Sequence, residues 1–202
     1  MDVLVPFSAT RPKTRLSDTL TPDERRDFAR TMLGDVLAAV ADAGGAPHVL
    51  ATDEVVVDVP VTVDDRSLTT AVNDAISGAH PIAIVMSDLA LATPRTLSSL
   101  FATDGDVVIA PGRGGGTNAL VVRDPNFAVD YHGASCRDHR EQAAAVDATV
   151  REFDSHRLAT DVDERADLAE LLLHGEGDAR DWLVDAGFEV AVDEGRVGVV
   201  RD

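Results

Sequence analysis

Cysteine, lysine and long apolar runs are scarce in this chain of 202 residues. A single cysteine, Cys136, rules out an intrachain disulfide and any zinc site built from several cysteines. The apolar runs, such as residues 81–86, are too short to cross a bilayer. The first seven residues are typical of a strand and lack the pattern of a signal peptide. We therefore expect a cytoplasmic protein with no membrane partner.

Positive charge is also in short supply. The chain has 36 acidic and 18 basic residues, a net charge of −18, and Lys13 is its one lysine. Because there is no basic stripe, we expect no nucleic-acid partner. The acids are spread along the chain, which is typical of solubility in a very salty cytoplasm. At molar salt the Debye length is about 3 Å, so this surface would hardly repel an anionic substrate.

The fold class follows from the alternation of strand-like and helix-like segments. With 45% hydrophobic residues, the 202 residues suit one domain, 1–202. Strands are predicted at residues 2–7, 48–51, 61–63, 82–86, 106–110, 119–122 and 149–153, with a hairpin after 188. Helices are predicted after Thr21 and Thr93 and near 68–79, 140–148, 163–173 and 178–187. This order predicts a three-layer α/β/α sandwich with a mostly parallel sheet. Ligands of such folds bind at the carboxyl ends of the strands, near the switch in strand order.

The stretch 110–120, "APGRGGGTNAL", holds four glycines within five residues. No Walker A pattern is present. Residues 114–119 formally fit the dinucleotide-binding motif, but that motif opens a helix and here a strand follows. Two interpretations remain. The loop is either a long flexible hairpin or a set of backbone N–H groups presented to an anion.

Basic residues cluster directly after the first strand, in "RPKTRL" (11–16). Arg11, Lys13 and Arg15 concentrate positive charge on one loop of an acidic chain. Arginine forks and a lysine point charge suit phosphates. The alternative is a basic loop that is merely solvated.

Carboxylates stand at two places where a metal could bind. Asp88 follows a buried strand, where a carboxylate either caps a turn or holds a metal. Asp161 and Asp163 precede a predicted helix, and Asp163 could instead be the N-cap of that helix. Mg²⁺ is normally held by one or two carboxylates together with substrate phosphates.

A fourth segment, "YHGASCRDH" (131–139), precedes another predicted helix. Gly133 or Ser135 could open that helix, whose first N–H groups would suit a phosphate. We interpret His132 and His139 as structural or surface residues and Cys136 as buried. No Ser-His-Asp order, nucleophile elbow or HExxH motif is visible in the sequence, which argues against covalent hydrolases and zinc peptidases.

Taken together, these segments resemble the CofC family, the 2-phospho-L-lactate guanylyltransferases. The resemblance rests on "VPF…RPKTRL", "LTTAVNDAI", "SDLALAT", "APGRGGGTNAL", "YHGASCRDH" and "DVDERADL", in this order along nearly the whole chain. The glycine-Thr-Asn loop and the Lys-Thr-Arg-Leu segment are the most specific of them. Family motifs are not matched at Ser8, Ala90, Tyr131-His132 and Glu164-Arg165, which loosens the substrate contacts that can be transferred.

The resemblance implies a Rossmann-like, GT-A-type nucleotidyltransferase that uses GTP and Mg²⁺. It would attach GMP to phospholactate, or to phosphoenolpyruvate, for the deazaflavin coenzyme F-420. The resemblance implies that the triphosphate is bound by Arg11, Lys13 and Arg15, and that the metal is bound by Asp88, Asp161 and Asp163. It implies that the phosphoacid is bound by Gly116, Thr117, Asn118 and Ser135, and that the base lies near Asn73.

Two alternative functions are also consistent with the sequence. One is nucleotidyl transfer to another acceptor, such as a sugar phosphate or a molybdopterin. Another is a nucleotide-binding module without catalysis. The sequence does not choose between phospholactate and phosphoenolpyruvate, nor between Asp161 and Asp163 as the metal ligand. A homodimer would be ordinary for a chain of this size.

Overall fold

The computed structural model describes residues 1–10, 12–193 and 195–201. Its strands are β1 (Asp2–Phe7), β2 (Ala46–Ala51), β3 (Val61–Val63), β4 (Ile82–Val85), β5 (Val107–Pro111), β6 (Thr117–Val122), β7 (Val150–Glu152), β8 (Phe188–Asp193) and β9 (Arg196–Arg201). Its helices are α1 (Pro22–Asp42), α2 (Leu68–Ile76), α3 (Pro94–Ala102), α4 (Ser135–Ala145), α5 (His156–Ala159), α6 (Arg165–His174) and α7 (Asp178–Asp185).

Seven strands form one sheet in the order β3-β2-β1-β4-β6-β5-β7. Strand β6 runs antiparallel to β4 and β5, and every other neighbouring pair is parallel. The predicted mixed and mostly parallel sheet is therefore confirmed. Strand β1 lies at the switch in strand order, between β2 and β4. The carboxyl ends of β1 and β4 consequently open side by side at one edge of the sheet.

Alternation along the central strands separates two apolar cores. In β1, Val3, Val5 and Phe7 join the core under α1, whereas Leu4 joins the core on the opposite face. The first core also contains side chains from α3, α6 and α7, and the second contains side chains from α2 and α4. Since successive strand residues point to opposite faces, one sheet supports both helical layers. These are the three layers that the sequence predicts.

The long helix α1 begins where its sequence signals place it. Thr21 accepts a hydrogen bond from the Glu24 N–H, and Glu24 accepts one from the Thr21 N–H at 2.8 Å. Pro22 occupies the first helical position, where its missing N–H costs nothing. The buried face of α1 carries Phe28 and Met32, which are both fully buried. Phe28 packs against Trp182 of α7 with ring centroids 5.0 Å apart.

The structure departs from the sequence predictions in short elements. Helix α6 begins at Arg165 after an N-cap at Glu164, so Asp163 is not the cap of that helix. A 3₁₀ turn at Thr14–Leu16 and the four-residue α5 were not predicted, because elements this short carry little periodicity. Strands β8 and β9 form the predicted terminal hairpin as a separate two-stranded sheet. Within the described residues, no helix has the length and apolarity that a bilayer span requires.

Candidate active site

Lys13 lies at the centre of the edge where β1 and β4 end. Its ammonium lies 2.8 Å from Asp88 Oδ2 and 2.7 Å from Asp163 Oδ1, and its side chain is only 7% exposed. Burial disfavours the charged lysine, but the two carboxylates outweigh burial, and the pKa of Lys13 is raised. The lysine backbone adopts the left-handed conformation with φ of 55° and begins the 3₁₀ turn. Lys13 is therefore a fixed positive charge between two acids.

Three carboxylates converge around this charge. Oxygen atoms of Asp88, Asp161 and Asp163 all lie within 4.8 Å of one another. Asp88 Oδ1 is buried and has no hydrogen-bond partner among the described residues. A buried carboxylate oxygen without a partner is costly, and a hard divalent cation would satisfy it. The predicted metal ligands are thus brought together, and their chemistry fits a divalent cation.

Two neighbouring arginines were also predicted to bind phosphate. Arg15 is largely exposed, and its guanidinium lies 3.5 Å from Asp163 Oδ2 and 3.8 Å from Glu164 Oε1. It therefore contacts the same carboxylate as Lys13, from the solvent side of the cluster. Arg11 lies outside the described residues.

The glycine loop joins β5 to β6 as a hairpin, and it is held in a definite turn. The Gly112 N–H donates to the Gly116 carbonyl at 2.9 Å, and Gly115 has a φ of 83°, which favours glycine. A Cβ on Gly112 would lie 2.5 Å from Asn118 Oδ1, so this glycine is needed for internal packing. A Cβ on Gly114 or Gly116 would have no neighbour within 4 Å. These two glycines border open space.

Asn118 and Thr117, the first residues of β6, have internal partners. The Asn118 amide donates to the Leu158 carbonyl at 2.9 Å and to Asp161 Oδ1 at 3.1 Å, so it orients one carboxylate of the cluster. The Thr117 N–H donates to Ser135 Oγ at 3.0 Å. Thr117 Oγ1 lies 2.8 Å from His139 Nδ1. Ser135, the first residue of α4, thereby ties that helix to the glycine loop.

A cavity of about 250 Å³ opens beside Asp88, between the ends of β1 and β4 and helix α2. Its lining includes Ser8, Thr52, Asp64, Arg66 and Leu68. Asn73 is on the same helix but does not line this cavity. Its amide donates to the Val129 carbonyl at 3.0 Å and accepts from the Val129 N–H at 2.8 Å. Contact between Asn73 and a base stays a prediction.

Sequence reasoning missed one residue that organises the site. Asp167, in the first turn of α6, is buried. Its Oδ2 accepts hydrogen bonds from the backbone N–H groups of Asp163 at 3.1 Å and Glu164 at 2.8 Å. Its Oδ1 pairs with Arg113 of the glycine loop. Asp167 therefore links the segment before α6 to the glycine loop. Its position four residues after Asp163 was the signal in the sequence that could have indicated this role.

Known proteins with similar sequences are guanylyltransferases. The family model described as "Guanylyl transferase CofC like" matches residues 1–201. The chain belongs to the CofC family. A 2-phospho-L-lactate guanylyltransferase of Halomicrobium mukohataei is 60% identical over 202 residues and is covered completely by this chain, as this chain is by it. One of Halorubrum lacusprofundi is 59% identical over 217 residues, again with both chains fully covered.

Solved structures that resemble this chain include proteins described as transferases. A nucleotidyl transferase of Methanothermobacter has a TM-score of 0.61 at 14% identity and covers 91% of this chain and 98% of its own. A protein of Desulfovibrio desulfuricans G20, described as a nucleotide-diphospho-sugar transferase, has a TM-score of 0.73 at 16% identity and covers 91% of this chain and 94% of its own. At these identities the likeness shows the fold alone, and the predicted fold class is confirmed.

Proposed function

We propose that this CofC-family enzyme transfers GMP from GTP to 2-phospho-L-lactate and releases pyrophosphate, as a step in making coenzyme F-420. The observation that carries the proposal is the full-length likeness to proteins named 2-phospho-L-lactate guanylyltransferase. Support from the site comes from a buried lysine and three convergent carboxylates at the switch in strand order. Both substrates are anionic, and Lys13 and Arg15 place positive charge at this edge of the sheet.

The chemistry requires no covalent nucleophile from the protein. A phosphate oxygen of phospholactate attacks the α-phosphorus of GTP, a new P–O–P linkage forms, and the bond to the leaving pyrophosphate breaks. In-line transfer of this kind depends on positioning and on neutralising charge. Lys13 and Arg15 would contact the triphosphate, and Arg11 would add a further guanidinium.

Asp88, Asp161 and Asp163 would hold Mg²⁺. When bound, the ion would neutralise phosphate charge and align the phosphates. A Mycobacterium tuberculosis H37Rv protein with this fold, at 18% identity and a TM-score of 0.52, was solved as a manganese complex. The unpartnered Asp88 oxygen supports a divalent-cation site at these carboxylates in this chain.

The acceptor would lie against the glycine loop and the start of α4. Gly114 and Gly116 leave room for an anion at the backbone. The Cys136 N–H in the first turn of helix α4 donates to the Gly115 carbonyl at 3.2 Å, so the start of this helix lies directly against the glycine loop. The positive end of the helix dipole would favour an anion there. Thr117 and Ser135 would complete this subsite.

Pyrophosphate release tests the proposal directly. The protein is assayed in molar KCl with Mg²⁺ and GTP, adding 2-phospho-L-lactate or phosphoenolpyruvate in parallel. Release that requires one of these acids supports guanylyl transfer and identifies the acceptor. Parallel reactions with ATP in place of GTP test the nucleotide donor, and reactions with a sugar phosphate or a molybdopterin test the other acceptors. Folded protein that binds GTP but releases no pyrophosphate with any acid would contradict the proposal and favour a binding module.

A further inference from the structure

Helix α4 contacts Thr117 through two residues one turn apart. Ser135 Oγ accepts the Thr117 N–H at 3.0 Å, and His139 Nδ1 lies 2.8 Å from Thr117 Oγ1. Residues four apart share one face of a helix, so both side chains point at the same partner. All three residues are buried, and His139 has no exposed surface. Helix α4 thus holds Thr117 through two polar contacts that are buried inside the protein.

The surroundings of His139 keep the imidazole neutral. The Tyr131 ring packs edge-on with its centroid 5.0 Å away, and the Phe127 ring lies at 6.0 Å. Burial lowers the pKa of His139 to about 4, although Asp130 and Asp138 act in the opposite direction. A neutral imidazole carries one proton, on either Nδ1 or Nε2.

The position of that proton follows from the other nitrogen. His139 Nε2 is buried and has no hydrogen-bond partner in the described part of the chain. A proton on Nε2 would leave a buried N–H without an acceptor, and orphaned buried N–H groups are rarer than unpaired acceptors. The proton therefore belongs on Nδ1, which donates to Thr117 Oγ1. The Thr117 hydroxyl then accepts this bond and keeps its own proton for another partner.

We propose that His139 is a positioning residue that fixes the Thr117 hydroxyl as a donor to the anionic acceptor. The inference rests on the proposed function, in which Thr117 contacts the phosphoacid. Thr117 follows Gly116 directly, and Gly116 borders open space where the acceptor would lie. If Thr117 instead donated inward to His139, its oxygen would turn lone pairs toward an anion, which would weaken binding. One buried histidine thereby determines the polarity of a contact that it does not itself make.

Two variants of similar size separate this role from packing. The amide nitrogen of asparagine can occupy the place of Nδ1, whereas that of glutamine reaches the place of Nε2. His139→Asn should keep the KM for 2-phospho-L-lactate within about threefold of the unchanged protein. His139→Gln should raise it about tenfold or more, which is the usual effect of losing a hydrogen bond to a charged group. The KM for GTP should stay the same in both.

Equal acceptor KM values for the two variants, with both folded, would overturn the proposal. Thr117→Val supplies a second test, because it removes the hydroxyl while keeping the shape. It should raise the acceptor KM at least as much as His139→Gln, and adding His139→Gln to it should have little further effect. An unchanged acceptor KM in Thr117→Val would also overturn the proposal.

A spectroscopic measurement makes the test independent of turnover. Long-range ¹H–¹⁵N spectra of the full-length protein distinguish the two imidazole tautomers, and His139→Asn identifies the resonance. The Nδ1–H tautomer is expected at pH 7, and the Nε2–H tautomer would refute the proposal even if guanylyl transfer is observed. Absence of transfer by the unchanged protein bears instead on the proposed function, so the two failures are distinguishable.

Discussion

Lys13 and Asp88 are 75 residues apart in the chain, yet the lysine ammonium lies 2.8 Å from the Asp88 carboxylate. The contact joins the loop after β1 to the loop after β4, across the switch in strand order. Asp163 completes the arrangement from a third loop. In this structure the positive charge among the three carboxylates is supplied by the protein itself. Asp88 Oδ1 has no partner among the described residues, so a divalent cation bound there would share the Asp88 carboxylate with Lys13.

Removing Lys13 should separate metal binding from nucleotide binding. In Lys13→Met, Asp88 and Asp163 lose their internal partner, so Mn²⁺ should bind about tenfold more tightly without nucleotide. GTP should bind more weakly, since the triphosphate loses a cation. Titration calorimetry with Mn²⁺ and then with GTP measures both. Arg26→Gln, at an exposed arginine of α1 that pairs with Asp23 outside the site, is the control and should barely alter Mn²⁺ affinity. Weaker Mn²⁺ binding in Lys13→Met would contradict this account.

Asp88→Asn tests the metal site at its buried oxygen. The variant keeps the shape of the side chain but removes a charged ligand, so turnover should fall about 100-fold or more. Its circular dichroism spectrum and melting temperature should stay close to those of the unchanged protein. Asp104→Asn, at an exposed aspartate before β5, is the matched control and should keep full activity. Full activity in Asp88→Asn would remove this residue from the metal site.

Asp167→Asn should weaken the site without touching a ligand. The amide can no longer accept both backbone N–H groups and also pair with Arg113. Because Asp163 is then held less firmly, Mn²⁺ affinity should fall about 10-fold to 100-fold, as is typical when a supporting residue is lost. Paramagnetic resonance of bound Mn²⁺ measures this affinity. Glu164→Gln, at a neighbouring exposed residue, should leave it unchanged, and equal losses in both variants would argue against a specific link.

Stability should depend on pH through His139. Its pKa is lowered from 6.5 to about 4 on folding, so the unfolded chain binds more protons between these values. The contribution of neutral His139 is therefore complete above pH 6.5 and declines as the pH falls toward 4. Denaturation of the unchanged protein and of His139→Asn at several pH values isolates this term from the many carboxylates. The difference in unfolding free energy should shift in favour of His139→Asn as the pH falls from 6.5 to 4, and a constant difference would contradict the burial argument.

The start of α1 offers a test that is independent of the site. Thr21→Ala removes the side-chain acceptor for the Glu24 N–H and should lower the free energy of unfolding by about 1 kcal/mol. Activity at saturating substrate should not change, because the cap does not contact the site. Urea denaturation in molar KCl measures the effect. Thr19→Ala, just before the helix, is the control, and an equal loss there would show that the cap itself contributes nothing.

Much of the fold could be predicted because its signals are local. The capping box at Thr21–Glu24, the apolar periodicity of α1 and the buried run of β4 each depend on neighbouring residues, and the structure has all three. The exceptions are α5 and the 3₁₀ turn at Thr14–Leu16, which are too short for periodicity. At the site, the residue types and the loops that carry them were predictable, but the contacts between side chains of different loops were not. Asn118 was expected to contact substrate, and the structure shows its amide engaged with Asp161.

By itself the sequence determined the alternating strands and helices, the family, and the charge-bearing residues at the ends of strands, because each depends on residues close together in the chain. Tertiary structure decided which of those residues meet. Lys13 contacts Asp88 and Asp163 only because β1 and β4 are neighbours and because the segment after β7 returns to the same edge of the sheet. Likewise, the neutrality of His139 and its contact with Thr117 depend on the burial of the inner face of α4. Burial and long-range distance are properties of the packed layers, and no local pattern of residues encodes them.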